Sequence, residues 1–296
     1  MVMATTKTKG FTLVELVTVI IVLGVVSVGI SGFIRTGMDI YTDVNERDQL
    51  LGESRFVVER LSRELRGAIP NSARLVSAGN TQCLEFVPAL WTTYYTSLSV
   101  FPDLPSNLAG TTTANVVELA ASTDLLPLQG NEFAVVYPTT ANDIYAAIDL
   151  NNHDTNKRLM VNSCTDEDGD CSTADANATD PHLAILTLSR EAGTAQLTAF
   201  SDHSPASRMY FARQAVSYCA HSDGDITRHV DGVNSTQTAY ASSMGVLMAK
   251  GLSNSSPFTV TPASLTRNAL VSILLIFERN DEVVNYNIEV HIPNVP

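Results

Sequence analysis

Between Leu16 and Ile34 the chain runs for nineteen residues without a formal charge, and most of them are Val, Ile and Leu. As a helix such a run rises about 28 Å, the thickness of the hydrocarbon core of a bilayer. This one segment restricts what the rest can be, because a folded domain must hang from one end of a membrane anchor. The residues before it, 1–10, carry Lys7 and Lys9 and no acid, whereas the chain as a whole has a net charge of -13. The positive-inside rule therefore predicts a cytoplasmic leader, a single membrane span and an exported body. The same acidic balance argues against a phosphate-neutralising nucleic-acid surface.

Glu15 stands immediately before the uncharged run. A carboxylate within a span costs on the order of 2.5 to 3.5 kcal/mol on insertion scales, so an acid kept there implies a cationic partner. A secretory signal would place its small-residue cleavage site after the apolar stretch; here the small residue, Gly10, precedes it.

The stretch Lys9, Gly10, Phe11, Thr12, Leu13, Val14, Glu15, Leu16 closely resembles the cleavage and methylation motif of type IV prepilins and type II secretion pseudopilins. The resemblance implies that a prepilin peptidase cuts between Gly10 and Phe11 and N-methylates Phe11, while the apolar helix is retained. Glu15 then matches the family's acid that neutralises the new terminal amine of a neighbouring subunit. The physical reason is that an ammonium and a carboxylate withdrawn from water must pair. The implied division is a leader at 1–10, a transmembrane and polymerisation helix at 11–35, an amphipathic continuation at 36–69 and a periplasmic head at 70–296.

The continuation is legible from spacing. Leu50, Ser54, Val57, Val58, Leu61, Leu65 and Ala68 recur at helical intervals and mark the face that should carry the head. Glu59 with Arg63, and Arg60 with Glu64, are spaced for solvated pairs on the opposite side. Pro70 and Gly67 place the helix end near Ala68. Gly24, Gly29, Gly32 and Gly37 weaken the apolar half, where the spacing predicts bending or melting.

Residues 82–88, 132–138, 183–189, 207–219, 270–277 and 283–292 read as strands. A sheet of such strands laid on the helix gives an α+β architecture, with a long N-terminal helix packed on an antiparallel sheet and disulfide-stapled loops. The long stretches 89–131 and 220–265 carry no clear assignment.

Four cysteines in an exported body suit two disulfides. The pairing expected is Cys83 with Cys219 across the sheet and Cys164 with Cys171 as a loop staple, although four cysteines permit three connectivities. Neither paired Cys-x-x-Cys spacing nor an accompanying pair of histidines supports structural zinc.

Asp166, Asp168 and Asp170 form an acidic turn whose calcium reading fails the EF-hand spacing, and calcium there is the only cofactor candidate. His221, Asp223, Asp225 and His229 lie close in sequence without matching a metal motif. Trp91, Tyr94 and Tyr95 offer an aromatic cluster that could stack a sugar or lie in the core. No nucleophile elbow, zincin helix or Walker loop is present, so hydrolase and nucleotide chemistry have no foothold, and an anchored enzyme would need residues brought together only by folding.

The run from Ser207 to Cys219 resembles the large minor pilins of the mannose-sensitive haemagglutinin (MSHA) type, the MshO-like group, and J-type secretion pseudopilins share the same plan. The resemblance implies a non-enzymatic minor pilin that primes pilus assembly at or near the tip. Its implied partners are the prepilin peptidase, other major and minor pilins and the inner-membrane assembly platform. It would sit in the membrane before assembly and in an extracellular pilus afterwards. The rival within the class is a secretion pseudopilin; the rival outside it is a tip adhesin that binds a glycan or surface ligand. Residues 71 onward hold ten bases and 23 acids, a charge that keeps an exported head soluble.

Overall fold

A computed structural model describes residues 10–101, 111–117, 131–146, 157–165, 183–189, 198–263, 267–280 and 282–293. The chain divides into two compact units, Met1–Leu51 and Gly52–Pro296. The first is helical throughout its described length apart from residues 10–12. Helix α1, Leu13–Arg66, continues from it into the second unit. Gly24, Gly29, Gly32 and Gly37 all lie within it without a break, so the helix does not melt there. Its hydroxyls bond back to the helix itself: Ser31 Oγ donates to the Ser27 carbonyl at 2.8 Å and Thr42 Oγ1 to that of Met38 at 2.9 Å. Such bonds satisfy these hydroxyls within the helix, along an otherwise apolar surface.

In the second unit, β1 (Arg74–Ala78) and β2 (Thr81–Phe86) form a hairpin that turns at Gly79, whose φ of +57° suits a residue without Cβ. Six strands follow: β3 (Trp91–Leu98), β4 (Thr111–Val117), β5 (Phe133–Val135), β6 (Arg158–Thr165), β7 (Leu183–Ser189) and β8 (Arg208–Ala212). They close into an antiparallel barrel in the order β3-β4-β7-β6-β5-β8, with the short helix α2 (Asn142–Tyr145) between β5 and β6. Alternation supplies its filling. Ala114 and Val116 of β4, Ala184, Leu186 and Leu188 of β7 and Phe211 of β8 point inward onto Phe200, while Ile185 points out.

After the barrel the chain returns as β9 (Ala215–His221), which pairs along β2, then β10 (Ile226–Asp231) and β11 (Val246–Ala249). These complete a five-stranded sheet ordered β1-β2-β9-β10-β11. The entire barrel thus occupies the connection between two neighbouring strands. Cys83 and Cys219 face each other on those strands and are disulfide-bonded. Last come β12 (Phe258–Thr261), β13 (Ala269–Arg279) and β14 (Glu282–Ile292), a three-stranded antiparallel sheet. The architecture is α+β.

Helical residues 52–66 lie against both sheets. Val57, Leu61 and Leu65 are fully covered; Ser54 Oγ meets Tyr286 Oη at 3.1 Å and Glu53 meets Arg279 at 3.5 Å. Glu64 takes Arg60 at 3.0 Å and Arg228 of β10 at 3.1 Å. The Arg60 to Glu64 pair is therefore not the solvated surface pair that spacing alone suggests, because Glu64 turns toward the sheet. The helix stops at Arg66, two residues before the expected end. Ile69 N–H donates to the Val87 carbonyl at 2.8 Å and Ala89 N–H to that of Gly67 at 2.8 Å, which pulls the chain into extended pairing. A second core of Ile69, Val87, Phe133, Ile144, Tyr145 and Tyr210 then seats the barrel on this junction.

Three further expectations are corrected. The single sheet becomes two sheets and a barrel. The run 207–219 is not one strand: it breaks at Arg213 and Gln214, with β8 in the barrel and β9 in the five-stranded sheet. The unassigned stretches 89–131 and 220–265 contain β3, β4, β10, β11 and β12.

Candidate processing and assembly site

The N-terminal motif is built around the first turn of α1. Gly10 and Phe11 precede the helix, exposed and non-helical, with Phe11 81% exposed. The bond between them is thus exposed and outside the helix. Thr12 is the N-cap. Glu15 N–H donates to Thr12 Oγ1 at 3.3 Å, and Glu15 Oε2 accepts from both the Thr12 backbone N–H and the Thr12 hydroxyl at 3.2 Å. This is a capping box: the threonine and the acid three residues on each satisfy a donor that the helix start leaves open. The acid also sits at the positive end of the helix dipole. Both Thr12 bonds fall on Oε2. Sequence reading found Glu15 but missed Thr12, although the signal was there as Thr-x-x-Glu ahead of an apolar run.

Beyond the box lies one helix long and apolar enough to cross a membrane by length and composition. Its most apolar window has a mean hydropathy of 2.7 and no buried residue. Within the described residues this surface therefore has no protein cover, unlike the core helix of a soluble domain.

The remaining candidates separate. Trp91 stacks on Phe211 with ring centroids 4.0 Å apart and packs on the barrel core, and Tyr95 is buried. Tyr94 faces out beneath Arg208, whose guanidinium lies 5.4 Å from its ring. Pleating sends neighbours to opposite faces, so the three aromatics do not form one platform.

His221 and His229 do come together, through a shared hydroxyl. Thr227 Oγ1 lies 2.7 Å from His221 Nε2 and 2.8 Å from His229 Nε2, and Thr81 Oγ1 lies 3.2 Å from His221 Nδ1. Burial holds His221 below the usual histidine range; burial, and then the neighbouring His221, push His229 down to about 4. Both rings are neutral at pH 7. Asp223 turns away to accept the Asp225 N–H in a tight turn. Among the described residues no group of three or more His, Cys, Asp or Glu gathers as a metal cluster. Asp166, Asp168 and Asp170 lie outside the described residues. So does Cys171, although Cys164 is itself disulfide-bonded.

Residues 5–31 match the family model of the prokaryotic N-terminal methylation motif. No curated protein and no solved structure matches the chain. The motif match supports a type IV pilin-like or pseudopilin-like protein that is processed by a prepilin peptidase and anchored by its apolar helix.

Proposed function

We propose that this chain is a non-enzymatic minor pilin of a type IV pilus of the MSHA kind, one that primes assembly at or near the tip. The observation that carries the reading is the capped Glu15 at the head of an uncovered apolar helix, inside the matched motif. The peptidase cuts after Gly10 and methylates Phe11, leaving an ammonium four residues before Glu15. Both Thr12 bonds use Oε2, so Oε1 can receive the Phe11 ammonium of another subunit while the cap stays closed. Pairing two opposite charges in lipid replaces the cost of two unpaired ones.

In this reading the head is periplasmic before assembly and extracellular afterwards, and the other pilins and the inner-membrane platform are its partners. The barrel inserted between β2 and β9 makes a head that is bulky for a repeating shaft, which favours a scarce subunit near the tip. Deleting the gene should abolish or sharply reduce piliation, and restoring it with Glu15→Leu should not rescue. Normal pilus numbers in the deletion strain would overturn the priming role.

A further inference from the structure

Among the described residues the two sheets of the head have four edges, β1 and β11 in the five-stranded sheet and β12 and β14 in the three-stranded one. β1 and β12 are short, five and four residues, and on β12 the Phe258 N–H and carbonyl are both bonded by the Gln82 side chain. The β11 edge is blunted. It has four residues, its pairing with β10 shifts register between Ile226 and Thr227, and it follows Gly245 at φ +84°. Shortness and irregular register are the usual means of discouraging strand addition. The barrel closes on itself and has no edge. β14 has none of these protections. It runs eleven residues, pairs with β13 in unbroken register from Glu282 to Ile292, and contains neither proline nor lysine.

The apolar stripe beneath it is also cut short. On β13 the residues facing the helix, Ile273, Leu275 and Phe277, are at most 1% exposed. Directly opposite them on β14, Ile288, Tyr286 and Val284 are only half-buried. The core stripe thus reaches the last strand and runs out of cover there, beside a row of backbone N–H and C=O groups that no described strand pairs.

We propose that the edge of β14 is the docking site for one extended strand of a different, neighbouring filament subunit. Unpaired strand backbone is matched by extended backbone, and the half-covered row selects a strand with apolar residues at alternate positions on the helix side. A second copy of this chain fits poorly. A two-fold that joins β14 to its own copy reverses residues 52–66 of one chain relative to the other, whereas subunits entering one membrane with the same polarity keep a common direction. The inference rests on the pilin reading and adds which surface meets the neighbour.

The test uses the full chain in filament-forming cells, with a photo-cross-linking phenylalanine analogue in place of Asn287, which faces solvent. The expected product is a cross-link to a β-strand peptide of another pilin subunit. Ile288→Lys, which puts a charge in the half-covered row, should lower both that cross-link and incorporation into filaments at least tenfold. Leader removal and the Cys83 to Cys219 bond should be intact in that variant, and Asn285→Lys on the solvent face should stay near wild type. A cross-link to a second copy, to lipid or to nothing, in chains that are cleaved and incorporated, overturns the edge assignment alone. Wild-type chains that keep their leader overturn the pilin reading, and this inference with it.

Discussion

Replacing both Cys83 and Cys219 with alanine tests how the head is assembled. The bond closes a ring with a sequence separation of 136 residues that contains the whole barrel. In the chain-entropy treatment a ring of that size restricts the unfolded chain by about 5 kcal/mol, and native disulfides commonly deliver about 2 to 5 kcal/mol. Both sulfurs are buried between paired strands, so the alanines also give up a little apolar contact. The expected loss is about 3 to 5 kcal/mol. Trp91, the only tryptophan, stacks on Phe211 in the barrel and reports on it by fluorescence; circular dichroism reports on all strands at once. Urea titration of the purified full-length protein in detergent should show both signals moving together to a lower midpoint. A loss under about 1 kcal/mol, or a Trp91 transition that does not move, would refute the idea that the bond clasps the barrel to the sheet.

Other outcomes follow from the same contacts. Gly245→Ala places a Cβ 2.5 Å from His229 and 2.7 Å from the Arg228 carbonyl at φ +84°, and should cost more than about 2 kcal/mol; Gly79→Ala, with nothing within 4 Å, should cost about 1 kcal/mol. Thermal melts of the two variants compare them directly. Because His221 and His229 have lowered values in the fold, the unfolded chain binds protons first. Stability should hold above about pH 6.5 and fall as the pH drops toward 4, by about 1 to 2 kcal/mol for His229 once its residual solvation is allowed for. His229→Gln should flatten that slope in denaturation measured across pH, and an unchanged slope would count against it. Arg213→Met leaves the buried Glu132 carboxylate without its guanidinium and should lower stability by about 2 to 4 kcal/mol in the same urea assay.

The features legible in the sequence were those set by local periodicity and local chemistry. The helix shows in its spacing, and Glu15 stands out because a carboxylate beside a membrane span has to be explained. Cys83 and Cys219 fell in β-rich runs that already read as strands. The barrel was not legible, because closure depends on which distant strands pair. β6, Arg158–Thr165, carries Asn162, Ser163 and Thr165 among its apolar residues and offers little strand signal alone. The run from Arg208 to His221 is β-rich on both sides of Arg213 and Gln214, and only tertiary pairing sends one half to the barrel and the other to the sheet. The two histidines were visible, but Thr227, which joins them, is an ordinary strand residue until β9 and β10 are set side by side.

The most direct measurement is the mass and N-terminal sequence of the protein recovered from filaments or membranes of cells with an active prepilin peptidase. The recovered chain should begin at Phe11 with one methyl group on its terminal nitrogen, and a full-length precursor should be found when the peptidase is absent. A chain in those filaments that still begins at Met1, or one cut after the apolar stretch instead of after Gly10, would contradict it.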